Sequence, residues 1–495
     1  MVPVPAGRCR DPAPRLCRPH RSDELGAPKP ANPLSSPEPT HLTEESTVSS
    51  PHPFPTLVRT LRLPSLVLFG LAYLTPLIVL GIFGVIAGET GGASASAYLI
   101  ALLAMLFTAN SYGRMAKAFP VAGSAYTYVR RTIDGRVGFL VGWAIMLDYL
   151  FLPMVIWLIG GSYLQAQFPG IPMPVWILGF ILITSILNII GIKVADRANL
   201  VLMTFQILVI AIFVALSVAD VLRGQGATGL VSAAPFLGTD AGFAGVAGGA
   251  AIAAYSFLGF DAVTTLTEET IEPRRTVPKA ILLVALIGGG IFVLVSYVTQ
   301  LVHPGGVFAN GDAAAAEIAL RIGGNVFGAV FLAALVIAQF TSGLAAQAAG
   351  SRLLYAMGRD GVLPRRVFGV VSARLHTPVF SVLAIAVVGL IAMFMDVATS
   401  TSFINFGAFV AFIMVNLSVV VYWVRERRAS ERLNPLLYVV APVIGMLVIA
   451  VLLSQLDSHA ITLGAIWLGV GVVVLGFVTR GFRRQPPELG VDNVD

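Results

Sequence analysis

The feature that most constrains this chain is a series of apolar runs that begins at Pro64 and recurs, with short polar breaks, to about residue 480. The runs cover residues 65–87, 94–113, 137–164, 173–192, 198–219, 242–266, 279–302, 324–350, 378–396, 400–423, 437–456 and 459–480. Each is long enough, as a helix, to cross a hydrocarbon core about 30 Å thick. The runs are continuous rather than alternating, which favours helices over a barrel. Only 12% of the residues are charged, against about 25% in a typical soluble domain. The expectation is an all-α integral membrane protein with twelve transmembrane helices.

The distribution of basic residues sets the topology. Of the 32 Lys and Arg, all but Arg223 and Arg321 fall in the N-terminal tail, the loops after even-numbered spans, or the C-terminal tail. Positive charge collects on the cytoplasmic side, so both termini are expected in the cytoplasm, and the chain is expected in the plasma membrane. The net charge of +6 is therefore read as a topology signal and not as a nucleic-acid patch. Residues 1–55 hold 13 of the 30 prolines and no apolar period. They are read as a disordered cytoplasmic tail, without the apolar run of a secretory signal. The transporter domain is expected over 56–484 and a short cytoplasmic tail over 485–495. Both cysteines, Cys9 and Cys17, lie in the first tail and are read as free thiols. No metal and no cofactor is expected.

Two runs carry breaks. The first contains Tyr73-Leu74-Thr75-Pro76, where proline removes a helical hydrogen bond. The sixth contains Ser256-Phe257-Leu258-Gly259-Phe260-Asp261, where Gly259 permits a backbone excursion. The breaks lie five helices apart, the spacing expected of two inverted five-helix repeats with substrate beside the unwound backbone. Each break alone reads as an ordinary kink.

A charge near mid-bilayer costs about 2.5–3.5 kcal/mol on insertion scales, so intramembrane carboxylates are functional candidates. Asp148 in the third run and Asp261 after the second break are the two that stand out. Two carboxylates facing one cavity match a cargo with two positive charges, and Tyr149, Tyr255 and Phe257 offer cation–π surfaces. Tyr73, Leu74, Thr75, Ser256 and Gly259 complete the expected substrate site. For Asp148 the alternative is a structural carboxylate; for Asp261 it is a gate or proton site. Glu268 and Glu269 are read as gating or coupling residues, or as members of an ion-pair network with Arg274, Arg275 and Lys279. Asp396 and Asp457, at the outer ends of spans, are read as solvated, and His303 and His376 as loop histidines.

Three motifs resemble the amino acid–polyamine–organocation superfamily: PVAGSAYTY (Pro120–Tyr128), GFDAVTTLTEET (Gly259–Thr270) and SRLLYAMGRDGVLP (Ser351–Pro364). The chain is most similar to the bacterial putrescine importers of that superfamily at GLAYLTP (Gly70–Pro76), LDYLFLPM (Leu147–Met154), SFLGFDAVTTL (Ser256–Leu266) and INFGA (Ile404–Ala408). The similarity spans about Arg62 to Arg484. It implies two inverted five-helix repeats plus two C-terminal helices, and secondary active import usually driven by protons. It also implies a gating role at Asp261 and pocket positions at Asp148 and Tyr149. Some proton-coupled members carry a lysine in the fifth helix where this chain has Gln206; glutamine cannot titrate, so Asp261 or Asp148 would have to carry the proton.

The first functional expectation is thus proton-coupled import of putrescine or a related polyamine. The second is an amino-acid permease of the same fold. Tyr73-Leu74-Thr75-Pro76 crowds the place where the half-helix N-termini would meet a substrate carboxylate, which favours a cargo lacking one. A third, a sensor that has lost transport, sits poorly with the breaks and buried acids. No nucleophile–base pair or phosphate loop points to an enzyme.

Overall fold

The computed structural model describes residues 59–121, 124–190, 196–239, 242–359, 363–372, 375, 377–426 and 433–486. The expected disordered tail over 1–55 with Cys9 and Cys17, His376 and residues 487–495 lie outside them. Among the described residues there are no β-strands, only one isolated parallel bridge between Leu61 and Thr270.

The chain opens with α1 (Leu63–Leu74), α2 (Ile78–Gly81), α3 (Phe83–Glu89), α4 (Ser94–Ala118) and the short α5 (Ser124–Thr132). Next come α6 (Gly135–Gln167), α7 (Met173–Ile190), α8 (Asp196–Gln225), the single turn α9 (Ala234–Leu237) and α10 (Gly242–Ala253). Then follow α11 (Pro273–Val302), α12 (Ala314–Arg359), which bends at Gly324 (φ 66°), and the turn α13 (Arg365–Phe368). The chain continues through α14 (Val379–Gly389), α15 (Val397–Glu426), α16 (Ala441–Ser454) and α17 (Ser458–Val478).

Helix starts follow local chemistry. Pro64 and Pro273 sit at first-turn positions, where a missing N–H costs nothing. Asp134 caps α6 by accepting the Arg136 N–H at 2.8 Å, and Asp457 caps α17.

Among the described residues, eleven helical stretches are long and apolar enough to cross a membrane. They match eleven of the twelve sequence runs. The remaining run, 378–396, forms a shorter apolar helix over Val379–Phe394, in which α14 passes into a 3-10 turn at Leu390–Phe394.

Among apolar helices in lipid, close packing and polar contacts hold the bundle together. Helix α4 packs along α11, and α6 packs against α12 and α15. Gly407 lets α15 approach α6 directly: a Cβ there would stand 2.4 Å from the Ala144 carbonyl oxygen. The Ser111 hydroxyl donates to Asn416 at 2.6 Å, and Ser94 bonds to Gln300 across α4 and α11. Trp143 and Trp467 are joined twice. Each indole N–H donates to the other's backbone carbonyl, at 2.9 and 2.8 Å, and the rings stack at 5.1 Å.

Candidate substrate site

The first apolar run is interrupted in its middle. Helix α1 ends at Leu74, and Thr75 takes a left-handed conformation (φ 51°) before α2 begins at Ile78. Left-handed backbone is costly for a β-branched residue and is concentrated at functional sites. The Thr75 hydroxyl returns a hydrogen bond to the Ala72 carbonyl at 3.3 Å.

The sixth run is interrupted too. Helix α10 tightens at Ala254–Phe257, the chain turns at Leu258-Gly259, and a 3-10 segment runs from Phe260 to Glu269. Gly259 has φ 110°, which side-chain-bearing residues rarely adopt. The Tyr73 ring lies against it. Below the breaks, the Glu269 carbonyl accepts the Thr60 and Leu61 N–H groups at 2.9 Å each, and Ile271 donates to the Leu61 carbonyl. The entry to α1 is thereby tied to the end of the second interrupted segment.

Two adjoining cavities flank the first break. The larger, about 110 Å³, is walled by Tyr73, Thr75, Gln206, Thr341 and Ser342, among others. The smaller, about 30 Å³, is reached by Leu74, Tyr255 and Gln339. Tyr73, Thr75, Leu152 and Ser342 line both. No Lys, Arg or His is among the lining residues of either cavity.

The carboxylates sit beside this space. Asp148 is half-buried on α6, one turn before Leu152, and its buried Oδ1 has no hydrogen-bond partner among the described residues. Asp261 accepts the Ser124 hydroxyl from α5 at 3.3 Å. Both acids, together with Tyr149 and Tyr255, are close enough to act electrostatically on the Tyr73 hydroxyl. The two acids also act on each other.

The expected site residues therefore divide. Tyr73, Leu74, Thr75 and Tyr255 wall the cavities, with Asp148, Tyr149, Gly259 and Asp261 next to them. Ser256 and Phe257 do not line them. Ser256 faces the Tyr98 hydroxyl at 3.2 Å, and fully buried Phe257 packs edge-on to Phe292 at 5.2 Å. Glu268 is exposed and Glu269 half-buried at the end of the 3-10 segment; Arg275 pairs with Glu272 at 3.7 Å. Helix α12 contributes Gln339, Thr341 and Ser342, which are absent from the residues expected on sequence grounds. The polar cluster Gln339-Phe340-Thr341-Ser342 inside an apolar run is the signal that could have found them.

A shared origin explains the arrangement. The Amino acid permease family model matches residues 65–461. The chain belongs to this family. The permease is 39% identical to the low-affinity putrescine importer PlaP of Escherichia coli (strain K12) over 434 residues, 87% of this chain and 96% of the relative. It is 26% identical to the branched-chain amino acid permease BcaP of Bacillus subtilis (strain 168), over 77% of this chain and 85% of that one. It is also 26% identical to the methylthioribose transporter of the same organism, over 88% and 96%. The permease is a multi-pass membrane protein and a transporter.

Proposed function

We propose that this permease imports putrescine or a related polyamine by proton-coupled symport. Alternating access would occur around the cavities at the two breaks, in the plasma membrane. The observation that carries the reading is the buried, unpartnered oxygen of Asp148 beside a second carboxylate, Asp261, next to cavities without a cationic side chain. An unpaired buried acceptor loses its hydration without compensation, and an ammonium supplies the missing donor and opposite charge together. A substrate carboxylate would meet like charge there. The 39% identity to a putrescine importer over nearly the whole relative supports the same substrate class.

In this reading Asp148 and Asp261 together bind one ammonium, Asp261 also gates or carries the proton, and Tyr73, Tyr149 and Tyr255 cover the methylenes. Leu74, Thr75 and Gly259 shape the unwound floor, and Ser256 and Phe257 support it from behind. Glu268 and Glu269 belong to the gate at the lower end. Counting Val379–Phe394 as a membrane-crossing element restores twelve helices, an even number. That count accords with both termini in the cytoplasm and with two five-helix repeats plus a final pair. The Pro-rich residues 1–55 and the end of the chain are cytoplasmic tails outside this transporter domain.

The test is labelled putrescine uptake into proteoliposomes with an imposed inward proton gradient, with polyamines and amino acids as competitors. Gradient-dependent uptake blocked by diamines is the expected result. Displacement by alanine or a branched-chain amino acid, with no putrescine uptake, would move the function to an amino-acid permease.

A further inference from the structure

The larger cavity contains a polar group to which the proposed transport cycle assigns no role. Gln206 on α8 is 6% exposed, and its buried Oε1 has no hydrogen-bond partner among the described residues. It lines the same chamber as the hydroxyls of Thr75 and Thr341. Both hydroxyls already donate to nearby backbone carbonyls: Thr75 to that of Ala72, and Thr341 to that of Ile337 at 2.9 Å. Each keeps only acceptor capacity for the chamber. The polar wall offers these acceptors beside the Tyr73 and Ser342 hydroxyls and the Gln206 amide N–H groups, carries no formal charge, and has apolar surface next to it from Phe69, Leu152 and Met203.

A primary ammonium presents three N–H donors, and Thr75, Gln206 and Thr341, on three different segments, line this chamber. The chamber shares Tyr73, Thr75, Leu152 and Ser342 with the smaller cavity next to it. An elongated ligand in the chamber would therefore lie along the Tyr73 wall on which both carboxylates act. At about 110 Å³ the chamber holds more than a single water, for which roughly 10–15 Å³ suffices.

We infer that Gln206 is a specificity residue for the second amine of the substrate: it accepts the far ammonium of a diamine whose near end lies at Asp148 and Asp261. The inference rests on the polyamine reading above. It assigns discrimination between diamines and monoamines to an amide on α8 instead of to a second carboxylate.

The experiment measures binding of putrescine and of n-butylamine, a four-carbon monoamine, to the purified protein in detergent. It compares the parent with Gln206→Leu and Gln206→Glu, each with and without sodium. The expected result is that Gln206→Leu weakens putrescine about tenfold, roughly 1.4 kcal/mol, and leaves n-butylamine unchanged. Gln206→Glu should tighten putrescine alone, which keeps the test decisive if the leucine variant misfolds. Equal effects on both amines, no effect on either, or loss of a sodium dependence in place of diamine preference would overturn the assignment. A parent protein that binds n-butylamine or amino acids but no putrescine would overturn the polyamine reading, and the Gln206 assignment with it.

Discussion

The ring of Tyr73 fills the space in which any side chain at position 259 would begin: a Cβ on Gly259 would stand 2.1 Å from Tyr73 Cδ1. The two helix breaks, nearly two hundred residues apart in sequence, are therefore in direct contact, and the permitted shape of one depends on the other. Alanine at 259 would meet both this clash and an unfavourable φ of 110°, with backbone strain of order 1–3 kcal/mol. Gly259→Ala is expected to insert normally and lose at least nine-tenths of its uptake. The double variant Gly259→Ala with Tyr73→Ala should regain part of it, read in proteoliposomes.

The unpartnered oxygen of Asp148 predicts a charge-specific effect. Asp148→Asn and Asp261→Asn preserve volume and remove the charge. Hydrogen bonds to charged groups contribute about 1.5–3 kcal/mol, so each variant should raise the KM for putrescine by about tenfold or more. Unchanged KM in both variants would refute the role of the carboxylates in cation binding.

Thr75 pairs stability against function. Its φ of 51° is unfavourable for a residue with a Cβ by roughly 1–2 kcal/mol, and glycine removes that cost. Thr75→Gly should raise Tm in detergent by a few degrees while lowering uptake, because a wall of both cavities loses its hydroxyl and the break gains freedom. A fall in Tm would show that the lost side-chain packing and hydrogen bond to Ala72 outweigh the relief of backbone strain.

Asn405 predicts a purely structural loss. Its Nδ2 donates to the Ala251 carbonyl at 2.7 Å, both residues being fully buried. Ala251 lies in the last turn of α10, where the change to 3-10 geometry leaves carbonyls short of partners. Asn405→Leu should cost about 1–3 kcal/mol and appear as a lower Tm. An unaltered Tm would mean that the carbonyl is satisfied without Asn405.

Much of this arrangement is legible in the chain itself. The apolar runs are long and the polar breaks between them sharp, because a backbone in lipid must satisfy its own hydrogen bonds. Asp148 and Asp261 stand out for the same reason, being charges where charge is disfavoured. The breaks are visible as Pro76 and Gly259, residues with a direct backbone effect. The contributions of Gln339, Thr341 and Ser342 are marked only by their clustering within an apolar run, a weaker signal than a charge because uncharged polar residues are tolerated on packed helix faces. Nor does a sequence tell which way a side chain in a break points, so Ser256 and Phe257 group with the cavity by position although they turn toward Tyr98 and Phe292. The tightening of the ninth run at Leu390 has no marker in composition, because that stretch is uniformly apolar.

The doubly joined Trp143 and Trp467 have an optical consequence. Two indoles stacked at 5.1 Å, with planes 23° apart, are placed to couple their strong far-ultraviolet transitions, and a circular dichroism couplet from this pair is expected. The couplet belongs to the contact between α6, the helix bearing Asp148, and α17. Its amplitude therefore serves as a label-free gauge of whether α6 shifts against α17 when a substrate is added.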